Sequence, residues 1–343
     1  MREHLNQRGA SLSHHLGVLP LKRPRVLLPM LVACLLAACA PSNNSNATFA
    51  TPKAVASAIA ASLNRRSLPK SLTPSLMDVS GANAFSFQGT SFLKPSCDPY
   101  DYMKEVFDPK PCIYGSTRAK RTIVIFGDSF VGNWLPALSH IGKNLGYRIA
   151  AFEFPGCMTP FVPPGSGDSA AFIRACDEWH AHLPTAVRAQ KPLAILAANG
   201  TLSWGAGGDS FWIKGLQKAF DEMTTASPRT IRVVIGTSPY LPAPAPACLA
   251  AYSSSIQKCA LTYHPGVLGS GLFSATLIRD HNAAVAAHAV LLPTVQWFCV
   301  KDRCPAVIGN LLVYADADHM TTVYSEYLWK VLQQALVPIL LHG

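Results

Sequence analysis

From residue 121 onward the chain alternates short apolar runs with amphipathic stretches. That alternation restricts it to a mostly parallel sheet with helices on both faces. The first run, Thr122-Ile123-Val124-Ile125-Phe126, is short, largely β-branched and free of charge. This is the pattern of a strand buried on both sides. A helical pattern follows to about residue 145. Further strands are predicted at 147–154, 193–197, 231–235 and, weakly, 289–292. Helices are predicted at 170–190, 211–225, 274–288 and 322–336. The expected fold is α/β, a three-layer, doubly wound sheet of five mostly parallel strands, with its core over 121–343. In such sheets the chemistry sits at the carboxyl ends of the strands. Two inserts, 155–169 and 237–272, both follow strands and should overhang that end. Residues 52–120 read as a lead-in packing on the core, with a short helix over 53–64 followed by Pro69 and Pro74.

The net charge of +10 first suggests a nucleic-acid binder. Residues 1–38, however, hold five basic residues and one acid, and without them the charge is +6 over 305 residues with no dense basic stripe. Nucleic-acid binding is therefore not expected. Lys22, Arg23 and Arg25 precede a charge-free run of 13 residues, Val26 to Ala38. That run is too short to span a bilayer and reads as the apolar region of a signal peptide. It ends in Leu36-Ala37-Ala38-Cys39. This order resembles the lipobox of bacterial lipoproteins, whose Cys becomes the lipidated first residue. An ordinary signal peptide or an uncleaved anchor is the alternative. Residues 39–51 then form a polar tether. No Asp follows Cys39, so the expected site is the periplasmic side of the outer membrane.

Ten cysteines support export. Beyond Cys34 and Cys39 there remain eight, an even number that suggests disulfides in an exported chain. Grouping by sequence neighbours pairs Cys97 with Cys112, Cys157 with Cys176, Cys248 with Cys259, and Cys299 with Cys304, although many pairings are formally open. No CxxC pair occurs, so a metal site is not expected.

The first strand runs into Gly127-Asp128-Ser129. A Ser at a strand-to-helix turn exposes its hydroxyl, and its amide lies near a helix N-terminus that can stabilise an oxyanion. The bland reading is a plain N-cap. Near the C-terminus comes Tyr314-Ala315-Asp316-Ala317-Asp318-His319. Asp316 and His319 are three apart and would share a face of a helical turn. The carboxylate can then orient the imidazole, which can take the Ser129 proton. Asp318 is expected to point away from the ring, although a swap of the two acids is open. Glu178, His180 and His182 read as a solvated helix face, and Trp204 as core or a sugar-stacking ring.

The paired motifs resemble those of the SGNH hydrolase family, also called GDSL esterases. More closely, the chain is similar to the periplasmic SGNH domain fused to acyltransferase-3 family membrane acyltransferases. The resemblance runs over about 52–337 and includes Pro74-Ser75-Leu76, Cys112, Gly127-Asp128-Ser129, Pro155-Gly156-Cys157, the Cys248-Leu249 loop, Cys299 to Cys304, and Asp316 with His319. It implies a flavodoxin-like layered fold. It implies Ser129 as nucleophile, His319 as general base, Asp316 as its orienting acid, and Ser129, Gly156 and Asn199 as the oxyanion hole. Residue 130 is Phe where the fused domains commonly carry His, Ala198 stands where the family has Gly, and Thr321 and Val323 replace small residues.

The resemblance further implies a cofactor-free serine enzyme outside the cytoplasm. It would transfer or hydrolyse small O-acyl groups, such as acetyl, on envelope polysaccharide. Its partners would be an O-acylated or acceptor polysaccharide and an acyltransferase-3 family membrane protein as acyl donor. The rival reading is a non-catalytic glycan-binding envelope lipoprotein of the same fold. A generic lipase is disfavoured because no apolar lid is evident.

Overall fold

The computed structural model describes residues 48–79, 109–158, 169–200, 208–263 and 272–342. All of them lie in one compact unit, Ser45–Gly343. Helix α1 (Pro52–Leu63) starts with Thr51 accepting the Ala54 N–H and with Pro at its first turn. Strand β1 (Cys112–Gly115) is followed by β2 (Thr122–Gly127), α2 (Phe130–Leu145) and β3 (Arg148–Glu153). Next come α3 (Ala170–Ala189), β4 (Ala194–Ala198), α4 (Gly208–Thr224) and β5 (Ile231–Ile235). Helix α5 (Ala245–Ala251) and β6 (Leu261–Thr262) form an excursion before α6 (Leu272–Ala286) and β7 (Val290–Leu292). Three two-residue strands, β8 (Arg303–Cys304), β9 (Val307–Ile308) and β10 (Leu311–Leu312), precede the final helix α7 (Thr322–His342).

The main sheet has the order β1-β3-β2-β4-β5-β7. Its strands are parallel except β1, which runs antiparallel to β3. The mostly parallel α/β layering is as the sequence implies, but the sheet has six strands rather than five. The extra one comes from the lead-in, where Cys-Ile-Tyr-Gly is too short to show a pattern and needs β3 to hold it.

Side chains of β2 alternate between two cores. Ile123 and Ile125 pack with α1, α2 and α7 residues such as Val55, Trp134 and Leu328. Val124 and Phe126 face the other way, with Trp179 of α3 and Phe220 of α4. Both faces are covered, so β2 reads as one unbroken apolar run. From β2 the chain turns first to β3 on one side and then crosses to β4 on the other. The switch point therefore lies at the carboxyl ends of β2 and β4, where α/β folds place their sites.

Three of the expected disulfides are present: Cys157–Cys176, Cys248–Cys259 and Cys299–Cys304. Cys112 is also disulfide-bonded, and Cys97 lies outside the described residues. So do the leader, Cys39, most of the tether and Trp204. Among the described residues no helix is long and apolar enough to cross a membrane.

Candidate active site

Strand β2 ends on Gly127, whose φ is +154°. A Cβ there would lie 1.7 Å from the Ala198 carbonyl oxygen of β4, so only glycine lets the two strand ends meet. The next residue, Asp128, is buried, and its carboxylate is committed twice. It accepts the Phe130 N–H at 2.9 Å and the Gly200 N–H at 3.1 and 2.9 Å to its two oxygens. Asp128 thus performs the capping that the bland reading assigned to Ser129. Ser129 has helical backbone angles and makes no side-chain cap bond. Its hydroxyl is instead 2.8 Å from His319 Nε2.

His319 sits in a turn just before α7. Tyr314 and Met320 form an antiparallel bridge, and the Ala315 N–H donates to the His319 carbonyl at 2.9 Å. Inside this turn Asp316 Oδ1 accepts the N–H groups of Asp318 at 2.9 Å and His319 at 2.7 Å. Its other oxygen accepts His319 Nδ1–H at 2.7 Å. Asp318 does not point away as expected: its Oδ1 is 3.2 Å from the same Nδ1. The turn brings both acids to the ring because the Asp316 carboxylate wraps the backbone around itself.

Neighbouring elements hold the turn. The Met320 N–H donates to Asn133 Oδ1 at 2.9 Å, and Asn133 is fully buried on α2, one turn after Ser129. The chain after β5 adds Leu241 N–H to the Ala317 carbonyl and Ala245 N–H to the Asp316 carbonyl, both at 2.8 Å. The Phe130 ring lies 5.5 Å from the His319 ring and stacks on Tyr240 at 5.8 Å. Both aromatics crowd Gly200, where a Cβ would meet Phe130 Cε2 at 2.6 Å and the Tyr240 hydroxyl at 3.0 Å.

Gly127 is in register with Glu153 of β3 and Ala198 of β4. Ser129, Gly156 and Asn199 thus follow three adjacent strand ends by two, three and one residues. Gly156 has φ +78° in the turn after β3, and the Cys157–Cys176 disulfide pins that turn to α3. Asn199 is buried, and its carbonyl accepts the Thr237 hydroxyl at 3.4 Å.

Burial works against charge on both members of the His319–Asp316 pair. Their mutual hydrogen bond and charges outweigh it, with Asp318 adding to the histidine side. Asp316 is held well below the usual carboxylate range and His319 above the usual imidazole value. Asp128 moves the other way, to about 7, chiefly because it is buried.

His180 departs from the solvated face expected for it. Glu178 and His182 are exposed, but His180 is half-buried and donates Nε2–H to the Met158 carbonyl at 2.8 Å. Burial lowers its pKa to about 4. It lies beside Cys157 and Cys176, whose sulfurs are bonded to each other rather than available to a metal. Asp316, Asp318 and His319 also present ligand atoms close together. Both ring nitrogens of His319 are already engaged, by the acids and by Ser129.

The family described as "SGNH domain (fused to AT3 domains)" matches residues 96–334. This chain belongs to the SGNH family. Among solved structures, this SGNH protein is similar to the lipopolysaccharide acetyltransferase periplasmic domain of Salmonella ser. Paratyphi A, with 20% identity and a TM-score of 0.52, over 64% of this chain and 84% of that one. A protein of Parabacteroides merdae described as a GDSL-like lipase matches at 13% identity and a TM-score of 0.39, over 63% and 95% of the two chains. A Corynascus thermopiles (Myceliophthora fergusii) carbohydrate esterase family 2 enzyme matches at 14% identity and a TM-score of 0.38, over 64% and 67%. A comparison with curated proteins finds no match. The first likeness speaks to the fold of this SGNH protein alone.

Asp128, Asn133 and Tyr240 are the site residues that sequence reasoning missed. Asp128 sat inside the Gly-Asp-Ser motif, and its neighbour's hydroxyl drew the attention. No sequence signal marks Asn133 or Tyr240, because their partners are distant along the chain.

Proposed function

We propose that this SGNH protein is a serine acyltransferase or esterase for small O-acyl groups, acetyl above all, on cell-envelope polysaccharide. The single observation that supports it best is the continuous hydrogen-bonded line from Ser129 through His319 to Asp316 at the switch point of the sheet. In this reading Ser129 Oγ attacks the ester carbonyl while His319 Nε2 takes its proton. The tetrahedral oxyanion is held by the Ser129 and Gly156 N–H groups and the Asn199 side chain. The ester C–O bond breaks, His319 returns the proton to the leaving alkoxide, and an acyl-serine is left. Water or a sugar hydroxyl then attacks it, again with His319 as base. No cofactor enters these steps.

Transfer is the favoured outcome, because the family is one whose domains are described as fused to AT3 domains. The acyl donor would be a membrane acyltransferase-3 protein. A leader cleaved before Cys39 and lipid attachment there would place the domain on the periplasmic side of the outer membrane.

The test is incubation with a small activated acetyl ester, followed by intact-mass analysis. The expected species is protein carrying one acetyl group on Ser129, absent in Ser129→Ala. Adding an oligosaccharide acceptor should divert acetyl from water to sugar. Turnover that survives Ser129→Ala would refute the mechanism. Product that is always free acetate would leave only the esterase branch.

A further inference from the structure

We infer that the protein carries a second glycan site, specific for acidic sugars, between the lead-in and the α5 excursion. The inference rests on the polysaccharide reading above and names the class of polymer. A cavity of about 630 Å³ opens there, lined by Leu63 and by Asn64, Arg66, Ser254, Ser255, Gln257 and Lys258. Its volume is that of an ordinary small-ligand site. Apart from Leu63 the lining is cations, hydroxyls and amides, with no carboxylate.

The cations are uncompensated. Neither Arg66 nor Lys258 forms an ion pair among the described residues. Arg303 stands behind the wall, donating to the Gln257 carbonyl at 3.4 Å, while its Nε has no partner. Two cations lining the hollow, with Arg303 behind its wall, produce a field that favours anions. Lys258 Nζ also lies 4.7 Å from the ring centre of Tyr252, an exposed aromatic beside the cavity. An aromatic face, hydroxyls, amides and cations together fit a sugar ring bearing a carboxylate or phosphate.

Hydrogen bonds join the two walls of the cavity. Gln257 Nε2 donates to the Ser62 and Arg65 carbonyls at 2.7 and 2.9 Å, leaving Gln257 Oε1 an acceptor without a partner. Leu68 N–H to the Ser253 carbonyl and Ile256 N–H to the Arg66 carbonyl seam the two walls. The Cys248–Cys259 disulfide closes the excursion. The same excursion touches the candidate active site, since the Ala245 N–H donates to the Asp316 carbonyl. Helix α5, about 10 Å long at 1.5 Å per residue, separates that contact from Tyr252 and the cavity. One polymer could lie in the cavity and still present a hydroxyl or ester to Ser129.

The experiment reads binding without turnover, on full-length protein carrying Ser129→Ala. The probes are oligogalacturonate, a phosphorylated oligosaccharide, neutral dextran oligomers, and vesicles rich in phosphatidylglycerol. Oligogalacturonate or the phosphorylated sugar should bind at low salt, and the stronger of the two identifies the acidic group. Neutral dextran should bind at least tenfold more weakly. The double variant Arg66→Ala/Lys258→Ala should lose at least tenfold in affinity for the acidic sugar, Tyr252→Ala less, and Lys258→Arg should retain binding. Thermal melting of each variant verifies that it is folded. Equal affinity for dextran, or unchanged affinity in the folded double variant, would overturn the site. Binding to the vesicles but not to either acidic sugar would overturn the glycan assignment in favour of a membrane surface. Acetyl-enzyme formation by the protein with Ser129 intact is scored separately, so loss of one reading is not mistaken for loss of the other.

Discussion

His319 is unusual among the residues of the site in having two carboxylates on one ring nitrogen, Asp316 at 2.7 Å and Asp318 at 3.2 Å. Burial alone would lower its pKa, but the two acids raise it above the ordinary 6.5. A base works only when neutral, so activity should fall as pH drops through that raised value. We expect kcat/KM on a small acetyl ester to have an acid limb with a midpoint above 6.5, the unperturbed value. Asp318→Asn removes one of the two charges and should shift the midpoint down, with most of the rate kept at alkaline pH. Asp316→Asn should be far worse, with a loss of about 10³–10⁴-fold in kcat, because it unsets the tautomer as well. An acid limb that does not move in Asp318→Asn would show that this carboxylate has no electrostatic hold on the ring. Phe130 adds an apolar wall beside the imidazole.

At the scale of elements, the site depends on loops that the parallel sheet does not itself order. The turn with Gly156 is tied to α3 by Cys157–Cys176, which closes a loop of 19 residues. Removing both sulfurs by Cys157→Ser/Cys176→Ser should cost about 3 kcal/mol from loop entropy. It should also lower kcat more than it raises KM if Gly156 contributes to the oxyanion hole, since such a contact strengthens in the transition state. Chemical denaturation and ester kinetics read the two effects separately. Gly127→Ala should fail more completely, giving insoluble protein, because a Cβ cannot coexist with the Ala198 carbonyl. The helices were legible in the sequence because each buries one face wide enough to set a period, and the inner strands because burial on both faces makes each an unbroken apolar run. Strand β1 was not, being four residues held at a sheet edge. Helix α5 was hidden by Pro242, Pro244 and Pro246, although proline is tolerated at the start of a helix. The Ser129 and Asp316–His319 motifs were legible because each is local. The clamps were not, since Asp128 meets Gly200 at 72 residues' separation and Asn133 meets Met320 at 187.

Among the described residues a six-stranded sheet lies between two apolar cores, and its switch point is fastened by two buried acids. Asp128 holds the Gly200 amide after β4. Asp280 of α6 holds the Thr237 amide at 2.8 Å and hydroxyl at 2.9 Å after β5. Thr237 in turn reaches the Asn199 carbonyl, so the acids grip the Asn199–Gly200 segment from both sides. Burial raises each to about 7 from 3.8, despite the N–H donors that favour the charged form. The folded protein therefore binds more protons than the unfolded chain between those values. Stability contributed by these groups is fully present below pH 3.8 and is lost as pH rises towards about 7. The raised His319 acts in the same direction, but only above its unfolded value of 6.5. Between about pH 4.5 and 6.5 a melting series reads the two acids against His180, whose pKa, lowered by burial to about 4, gives one opposing slope. We expect melting temperature to fall across it. Asp280→Asn keeps an acceptor for the Thr237 amide but cannot ionise, so it should remove most of the net slope, leaving Asp128 and His180 nearly balanced. A slope identical in wild type and variant would mean that Asp280 is ionised throughout, and that the grip on Thr237 does not depend on its proton.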